Sequence, residues 1–488
     1  MNNTVDTSHK SILKATGIFG FVQLVKIVLG IVSIKIVAVY LGVSGIGQLG
    51  LLQSVISLIA AVSGFGLQTI VVREISLVYK KENYPATLNL LHNWAFYVGI
   101  IGFLLFLIAA PFFVTNIFKE FSLFWAFLLG IQFVFSSLAT FRASVLQGTQ
   151  QLKILAFSQV VSAIILSLLS MVLYYFLGVK AIVYVLFANS FIGFFIQKYF
   201  TNEIKLVPDF LTFGNLKSKI QPYFITGTLF SINVIFGYLC SLIIKYYLKE
   251  TAASIEIVGY YEVASTIMIS YVGLVFTSMS SDFYPKLTSI THLKKEATIL
   301  INNQIQIALL LVLPIIIFIY AFGTQILSLF YSPSFLPVFT ILKVGLFSVA
   351  IKAITWPLGF YLLAVGNTKR YFKQELLSDF LNVSLSILGY YYFGLLGLGI
   401  AMALNFLLYG VFITYIMYTK YEFYYLKQTL NTIVFSVVLA VLAMVLSECG
   451  FDNYMLILLF SIASLHSLYH IHKKIDLGLL FKKLRSKF

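Results

Sequence analysis

The sequence predicts an all-α fold of the polytopic membrane class. Three observations support this: the composition, the recurrence of apolar runs and the placement of the basic residues. Of the 488 residues, 60% are hydrophobic and only 10% are charged, and the mean hydropathy is +0.97. A soluble protein of this length does not need so much apolar surface, so the composition excludes a soluble globular fold. Apolar runs of about twenty residues, the length that crosses a bilayer as a helix, recur along the whole chain.

The apolar runs predict about fourteen transmembrane helices. Several runs exceed the about 20 residues that a bilayer needs, which predicts tilted helices or helices that extend into water. We place the spans at residues 12–40, 46–72, 88–112, 120–146, 154–177, 181–199, 220–247, 257–284, 299–322, 336–364, 371–392, 395–418, 428–447 and 454–471.

The basic residues predict the orientation of these helices. The formal net charge is +16, and with the N-terminus inside, 25 of the 33 Lys and Arg residues fall in inner segments and only three in outer loops. Because cytoplasmic loops carry an excess of Lys and Arg, both termini are expected in the cytoplasm. This distribution explains the charge without a nucleic-acid partner.

Short sequence similarities predict that spans 1–6 recur as spans 7–12. YYFLG (174–178) resembles YYYFG (390–394), Asn189 corresponds to Asn405, and Gly148 is matched to Gly366. Six spans per repeat place both copies in the same orientation, which predicts pseudo-twofold-related six-helix lobes around a central cavity. The predicted domains are an N-lobe (1–200, helices 1–6), a cytoplasmic linker (201–217), a C-lobe (218–420, helices 7–12), and helices 13–14 with a basic tail (421–488).

Span 1 carries two lysines inside the membrane. A cation at the bilayer centre costs about 2.5–3.5 kcal/mol on insertion scales, so such residues are functional candidates. Lys26 lies near the middle of a polar stripe formed by Gln23, Lys26, Gly30, Ser33 and Val37, and we expect this stripe to line a cavity. Lys35, about 180° further around the helix, either faces the cavity or extends to the outer surface.

Span 10 carries a second pair of lysines, Lys343 and Lys352, and Trp356 follows Lys352 on one face. Two cationic spans, one per lobe, predict a site for an anion such as a diphosphate. Arg73 and Arg142 lie near the inner ends of spans 2 and 4, where they serve either as membrane anchors or at the inner mouth of the cavity.

Four acids are candidates for ion coupling: Glu262, Asp282, Glu375 and Asp379. Glu262 stands where the other half has a glutamine, and pairing with Lys245 is the competing interpretation. Glu375 and Asp379 share a helix face at i,i+4 spacing. For Glu375, we favour a structural pairing with the basic residues at the start of span 11, Lys369 and Arg370.

No cofactor or metal site is expected. No Walker motif is present, so direct use of ATP is not indicated. His466, His470 and His472 cluster on the last span without a neighbouring acid or cysteine, which disfavours a metal centre. The longest outer loop, about 323–335, contains no carboxylate, which argues against an enzyme such as a membrane glycosyltransferase or an O-antigen polymerase.

Several runs resemble the Wzx-type polysaccharide flippases, especially those for O-antigen and enterobacterial common antigen. Lys26 and Lys35 stand where that family has lysines, and the resemblance extends over about residues 1–420. The runs are VKIVLGIVSIKIVAVYLGVSGIG (25–47), GFGLQTIVVRE (64–74), FYPKL (283–287) and KAITWPLGFYLLAVGNTKRYFKQE (352–375).

The resemblance implies the fold of the multidrug/oligosaccharidyl-lipid/polysaccharide exporter superfamily. It implies transport of an undecaprenyl-diphosphate-linked oligosaccharide from the cytoplasmic to the periplasmic leaflet of the bacterial inner membrane by alternating access. The implied partners are membrane lipid, a polysaccharide polymerase and a chain-length regulator, and coupling to protons or sodium is a further implication. An ion-coupled multidrug exporter of the same fold remains the alternative.

Overall fold

The computed structural model describes residues 2–118, 122–202, 213–448 and 453–474, without the side chains of 2–29, 213–230, 281 and 473–474. These residues form helices and connecting turns and no strand, so the all-α class is confirmed. The α-helices are α1 Asn2–Gly64, α2 Leu67–Val78, α3 Tyr84–Phe118, α4 Leu123–Gly148, α5 Leu152–Leu177, α6 Ala181–Phe200, α7 Phe213–Ala252, α8 Glu256–Ser265, α9 Leu274–Ser289, α10 Lys294–Phe330, α11 Val338–Ala364, α12 Thr368–Tyr421, α13 Lys427–Glu448 and α14 Asn453–Lys474.

Eleven helical stretches within the described residues are long and apolar enough to cross a membrane. The chain is therefore a multi-pass membrane protein. Its helices do not correspond one to one with the predicted spans. α12 has 54 residues, about 80 Å of helix, whereas a bilayer core is about 30 Å thick. Such a helix must contain more than one crossing, and the count of fourteen spans stays a prediction.

The long helix α12 folds back on itself at Gly394, whose backbone angles are φ 57° and ψ −136°. A Cβ added to Gly389 would collide with the carbonyl of Gly397, which shows how closely the two arms approach. In α1, a kink at Gly42 (φ 64°) lies between the first two predicted spans. The predicted span 46–72 is itself interrupted, because α1 ends at Gly64 and α2 begins three residues later.

The backbone repeats one conformation at positions 216 residues apart. Gly178 (φ 53°, ψ −132°) has the same unusual geometry as Gly394. Gln150 and Gly366 both have positive φ, at 59° and 76°. In both turns, the residue after this position donates its backbone N–H to the carbonyl of the residue five positions earlier. The distance is 2.8 Å in the turn at Gln150 and 3.1 Å in the turn at Gly366. These local similarities support the proposed repeat of the two halves.

The turn geometry corrects one sequence match. By backbone conformation, the counterpart of Gly366 is Gln150 and not Gly148. Gly148 has a packing role instead, since a Cβ there would lie 2.9 Å from the carbonyl oxygen of Val72 on α2. The sequence comparison aligned the glycines because they are the only glycines near each turn, although the left-handed position is two residues later in the first half.

The chain divides into two compact units, Met1–Leu242 and Ile243–Phe488. The division lies within α7, and most of the predicted linker 201–217 lies outside the described residues. The core of the first unit joins α1, α3, α4 and α6 through side chains such as Leu52, Phe106 and Leu129. A second cluster, including Val71 and Phe141, packs α2 against α3 and α4.

The second unit is built around α11, which packs against α10, α12 and α13 and also touches α8 and α9. Its side chains Leu342, Leu346, Ala353 and Leu358 are fully buried. A helix enclosed in this way has few lipid-facing positions, so a polar residue on it must face another helix or a cavity. This places the mid-helix lysine of α11 inside the unit.

We expect Gly394→Ala to destabilise the protein, because this backbone geometry is accessible almost only to glycine and costs about 1–3 kcal/mol for other residues. Thermal unfolding in detergent would measure the loss. Gly193→Ala is the matched control, since a Cβ there meets no atom within 4 Å in an ordinary helix. Equal melting temperatures for the two variants would contradict the role of this turn.

Candidate functional site

The second unit contains a cavity of about 370 Å³ bounded by α8, the π-helical turn Thr266–Tyr271, α11 and α12. Its charged lining residues are Lys352, Glu375 and Asp379. The size falls at the lower end of the range of about 300–1,000 Å³ typical of small-molecule sites. The cavity can therefore hold a small polar group, and four sequence candidates, Trp356 among them, meet in it.

Lys352 lies near the middle of α11 and is half-buried. Its ammonium lies 5.6 Å from the ring centroids of both Phe276 and Phe406, within cation–π distance. Among the described residues it forms no ion pair, so ring faces rather than a carboxylate contact this charge. A cation held in this way retains donors that can bind an anion.

The two arms of α12 supply the opposite wall of the cavity. Glu375 and Asp379 lie on the first arm, and Asn405 and Tyr409 lie on the second, each pair at i,i+4 spacing. The Tyr409 hydroxyl donates to Glu375 Oε1 at 3.5 Å and accepts from the side-chain amide of Gln374 at 3.2 Å. The buried Asn405 Oδ1 has no partner among the described residues. The cavity thus combines one ammonium with two carboxylates and neutral donors.

Trp356 forms an aromatic wall one turn after Lys352. Its ring lies 5.9 Å from that of Phe276, 5.4 Å from that of Phe283 and 5.2 Å from that of Phe360. These contacts hold the indole in one orientation, as expected for aromatic clusters. The sequence prediction that Lys352 and Trp356 face the same space agrees with this arrangement.

The favoured pairing of Glu375 with Lys369 or Arg370 is not what the structure shows. Arg370 instead donates from Nη1 to the Tyr421 hydroxyl at 3.3 Å, while Glu375 faces Tyr409. Residues five or six apart on a helix do not share a face, whereas those three or four apart do. The charge pattern of the helix start suggested a contact that the helical spacing does not favour.

Lys343 does not share the cavity of Lys352, contrary to the expectation of one anion site on span 10. Its ammonium lies 2.9 Å from Glu448 on α13, and its backbone carbonyl accepts from the Tyr320 hydroxyl at 2.7 Å. Nine residues turn an ideal helix by about 180°, so the two lysines point in opposite directions. Lys343 is therefore an ion-pairing residue between α11 and α13.

In the first unit, the stripe on α1 packs against a neighbouring helix where its side chains are described. The hydroxyls of Ser33 and Ser167 of α5 lie 2.8 Å apart, and Val37 packs against the hydrophobic core. Lys35 is half-buried. The side chains of Gln23 and Lys26 lie outside the described residues, so their role stays a prediction.

The two candidate arginines have different surroundings. Arg73 is exposed and lies 3.7 Å from Glu74. Arg142 is buried, donates from Nη1 to the Thr201 hydroxyl at 2.7 Å and lies over the ring of Phe194 at 5.8 Å. Arg142 thus joins α4 to the C-terminal end of α6.

The remaining acids form ion pairs. Glu262 of α8 lies 2.6 Å from Lys245 of α7, which is the competing interpretation given for it above. Asp282 pairs with Lys286 at the same distance, but both side chains are largely exposed. Exposed pairs contribute little to stability, whereas breaking a largely buried pair leaves an uncompensated charge.

Sequence reasoning missed the neutral side of the cavity: Tyr371, Asn382, Asn405 and Tyr409. One signal was available, because Asn405 and Tyr409 form a polar i,i+4 pair within an apolar span. The partners of Tyr409, Gln374 and Glu375, lie on the other arm of α12, and no local sequence pattern indicates this contact.

The histidines of α14 form a separate group. The rings of His466 and His470 lie 4.4 Å apart, and His466 lies over Phe435 at 4.0 Å. Among the described residues, no group of three or more His, Cys, Asp or Glu is arranged to hold a metal ion.

Residues 12–291 match the family model described as "Polysaccharide biosynthesis protein". No curated protein matches the chain. The match extends over more than half of the sequence, including the whole of the first unit after the N-terminal residues.

The fold is similar to several solved transporter structures. The lipid II flippase MurJ in an inward closed conformation aligns with a TM-score of 0.69 and 16% identity, over 93% of this chain and 99% of that chain. An inward-facing multidrug resistance transporter of the MATE family aligns with a TM-score of 0.62 and 15% identity, over 80% of this chain and 96% of that chain. A MOP superfamily transporter from Pyrococcus furiosus aligns with a TM-score of 0.60 and 13% identity, over 84% of this chain and 96% of that chain. That transporter is described as having a binding pocket of reverse polarity. At these identities the similarity establishes the fold alone.

We expect Lys245→Met and Glu262→Met each to destabilise the protein, and the double variant to recover part of the loss. Removing one partner leaves a buried charge, and the coupling energy should be about 1–3 kcal/mol. Thermal unfolding of the unmodified protein, the two single variants and the double variant gives this coupling energy. Lys286→Met with Asp282→Met is the matched control, because that pair has the same 2.6 Å distance but is exposed and should be nearly additive. Equal coupling for the two pairs would be the contrary result.

Proposed function

The chain belongs to the polysaccharide biosynthesis protein family, and on this basis we propose that it is a flippase for undecaprenyl-diphosphate-linked oligosaccharide, such as an O-antigen repeat unit. It moves this substrate from the cytoplasmic to the periplasmic leaflet of the bacterial inner membrane by alternating access. The multi-pass helical fold, which it shares with a protein described as a lipid II flippase, supports the proposal.

The physical problem that such a protein solves is the transfer of a polar head group through hydrocarbon. Each hydroxyl costs several kcal/mol to move from water to an apolar medium without a hydrogen bond, and an ionised diphosphate costs far more. The polyprenyl chain can remain in lipid throughout. The protein therefore needs to supply hydrogen-bond partners and a counter-charge only for the head group.

The observation that carries the proposal is the ammonium of Lys352 in the cavity of the second unit. It is held over two aromatic rings, it is half-buried, and it has no ion-pair partner among the described residues. Bonds from a lysine to a phosphate oxygen are charge-assisted and stronger than neutral hydrogen bonds. Lys352 is thus suited to bind one phosphate of the substrate, beside the flat surface of Trp356.

Glu375 and Asp379 line the same cavity and suggest how transport is coupled to an ion. An incoming diphosphate brings further negative charge next to these carboxylates, which favours their binding a proton or a metal cation. Substrate entry and ion uptake would then assist each other. The same two carboxylates also favour the second candidate function, export of an organic cation, so the two functions need a direct test.

We expect Lys352→Ala to reduce flipping of lipid-linked oligosaccharide at least tenfold, because it removes the cation that faces the cavity. Lys352→Arg should retain more activity, since the charge persists. The measurement is the appearance of substrate in the opposite leaflet of proteoliposomes containing equal amounts of folded protein. Lys26→Ala tests the corresponding cation predicted in span 1.

Lys343→Ala is the matched control, because this lysine lies on the opposite face of α11 from Lys352 and pairs with Glu448 of α13. It should leave the flipping rate within about twofold, the change expected for a partly exposed pair. Full activity of Lys352→Ala would exclude the proposed anion site. Proton- or sodium-driven transport of an organic cation, with no movement of the lipid-linked sugar, would establish the second candidate instead.

We expect the C-terminal tail, which begins at Lys473, to be cytoplasmic, as the distribution of basic residues predicts. A C-terminal alkaline phosphatase fusion should therefore be inactive, and a C-terminal green fluorescent protein fusion should be bright. A phosphatase fusion active in the periplasm would overturn either the predicted orientation or the even number of spans.

A further inference from the structure

The first unit contains a second, larger cavity that differs in chemistry from that of Lys352. Its volume is about 750 Å³, and it lies where the ends of five helices, α2 to α6, come together. The turns and helix ends on this side carry Lys80, Lys81, Lys153 and Lys198, so the charge distribution predicts that the cavity faces the cytoplasm. None of the residues used by the proposed anion site belongs to it.

The lining of this cavity is aromatic, amide-bearing and uncharged. It contains three tyrosines, Tyr79, Tyr84 and Tyr199, together with the side-chain amides of Gln151 and Asn202. No Asp, Glu, Lys, Arg or His is among the described residues that line it. Apart from the adjoining Lys80, whose ammonium lies 5.6 Å from the Tyr79 ring centroid, this lining offers no counter-charge to a phosphate. It offers flat apolar faces and groups that both donate and accept hydrogen bonds.

The aromatic rings are held by neighbouring rings and are open to solvent. Tyr79 and Tyr84 meet edge to face at 5.7 Å, and Tyr199 meets Phe200 at 5.3 Å. Phe200 in turn packs on Phe157 at 5.6 Å. The ring of Tyr199 is 76% exposed. Because the Lys80 ammonium lies over the Tyr79 ring, the uncovered aromatic surface of the cluster is that of Tyr199.

The backbone around the cavity is also constrained. Lys80 and Gln150, which adjoin Tyr79 and Gln151, both have positive φ, at 67° and 59°. Such conformations cost non-glycine residues about 1–3 kcal/mol, and they concentrate at functional sites. At the equivalent turn of the second unit, the left-handed position is occupied by Gly366, which adopts it without strain.

Arg142 fixes one wall of the cavity from behind. It donates to the Thr201 hydroxyl at 2.7 Å, and that hydroxyl donates to the backbone carbonyl of Gln197 at 2.6 Å. Thr201 therefore links Arg142 to the end of α6, which carries Tyr199 and Asn202. This gives the buried arginine a role in positioning the cavity rather than in contacting a substrate.

We propose that this cavity of the first unit binds neutral sugar residues of the oligosaccharide head group on the cytoplasmic side, before transport. Sugars have an apolar face of C–H groups that stacks on aromatic rings, and hydroxyls that suit amide side chains. The volume of about 750 Å³ is within the range of ligand sites and large enough for more than one sugar ring. The proposal rests on the proposed function, in that it takes the glycan of that substrate as the ligand.

The test uses the purified full-length protein and a lipid-free probe, the oligosaccharide repeat unit released from the surface polysaccharide of the source strain. We expect the oligosaccharide to bind, and Tyr199→Ala to weaken its affinity about tenfold through loss of the stacking surface. Tyr199→Phe should bind within about twofold of the unmodified protein because the ring remains. Gln151→Ala should weaken binding through loss of the amide.

Tyr391→Ala is the matched control, since this tyrosine is similarly exposed, at 70%, but lies in the second unit. Inorganic pyrophosphate is the control ligand, and its affinity should depend on Lys352 and not on Tyr199. In the flipping assay, Tyr199→Ala should raise the KM for lipid-linked oligosaccharide and leave kcat unchanged.

The outcomes separate this inference from the proposed function. Absence of oligosaccharide binding, or binding that is indifferent to both Tyr199→Ala and Gln151→Ala, would overturn the sugar site while leaving flipping by the unmodified protein intact. Failure of the unmodified protein to flip the lipid-linked substrate would instead overturn the proposed function. Tyr199-dependent oligosaccharide binding would still support the cavity as a sugar site in that case.

Discussion

The structure depends on one constraint: a backbone in hydrocarbon must satisfy its own hydrogen bonds. An unsatisfied amide there costs several kcal/mol, so the chain remains helical wherever it crosses. Sharp reversals occur at glycines that adopt left-handed geometry, such as Gly178 and Gly394. The reversal at Gly394 brings Glu375 within hydrogen-bonding distance of Tyr409, although 34 residues separate them in the sequence. The cavity of the second unit exists because of that turn.

The same apolar surroundings govern the charged side chains. A buried charge is costly unless it is paired or hydrogen-bonded, and two lysines of the predicted spans have a carboxylate partner. Lys245 pairs with Glu262, and Lys343 pairs with Glu448. Lys352 differs, because its ammonium is contacted by two ring faces. A cation that is retained without a carboxylate partner in the described part of the protein is the kind of residue that function, rather than stability, explains.

The sequence alone predicted the fold class well, and it predicted part of the lining of the Lys352 cavity. Composition and span length determine an all-α membrane protein, because helices are the structures that such a chain can form in lipid. Depth and helical spacing correctly grouped Lys352 with Trp356 and Glu375 with Asp379. They could not find Tyr409, whose contacts form across a hairpin. Lys343 was grouped with Lys352 because only its depth in the membrane was considered. The rotation of about 180° between the two lysines around the helix axis was left out.

A lipid-linked oligosaccharide presents two chemistries, and one binding surface serves them poorly. A diphosphate needs a desolvated counter-charge, whereas a glycan needs apolar faces and neutral hydrogen-bonding groups. The two units of the chain each contain one of these surfaces: a charged cavity at Lys352 and an uncharged one at Tyr199. Stacking on tyrosine tolerates many sugars because most sugar rings have an apolar face. Under the proposed function, discrimination between glycans would then reside in the amides of Gln151 and Asn202, since a bound glycan would cover them and a polar group covered without a partner costs about 1–3 kcal/mol.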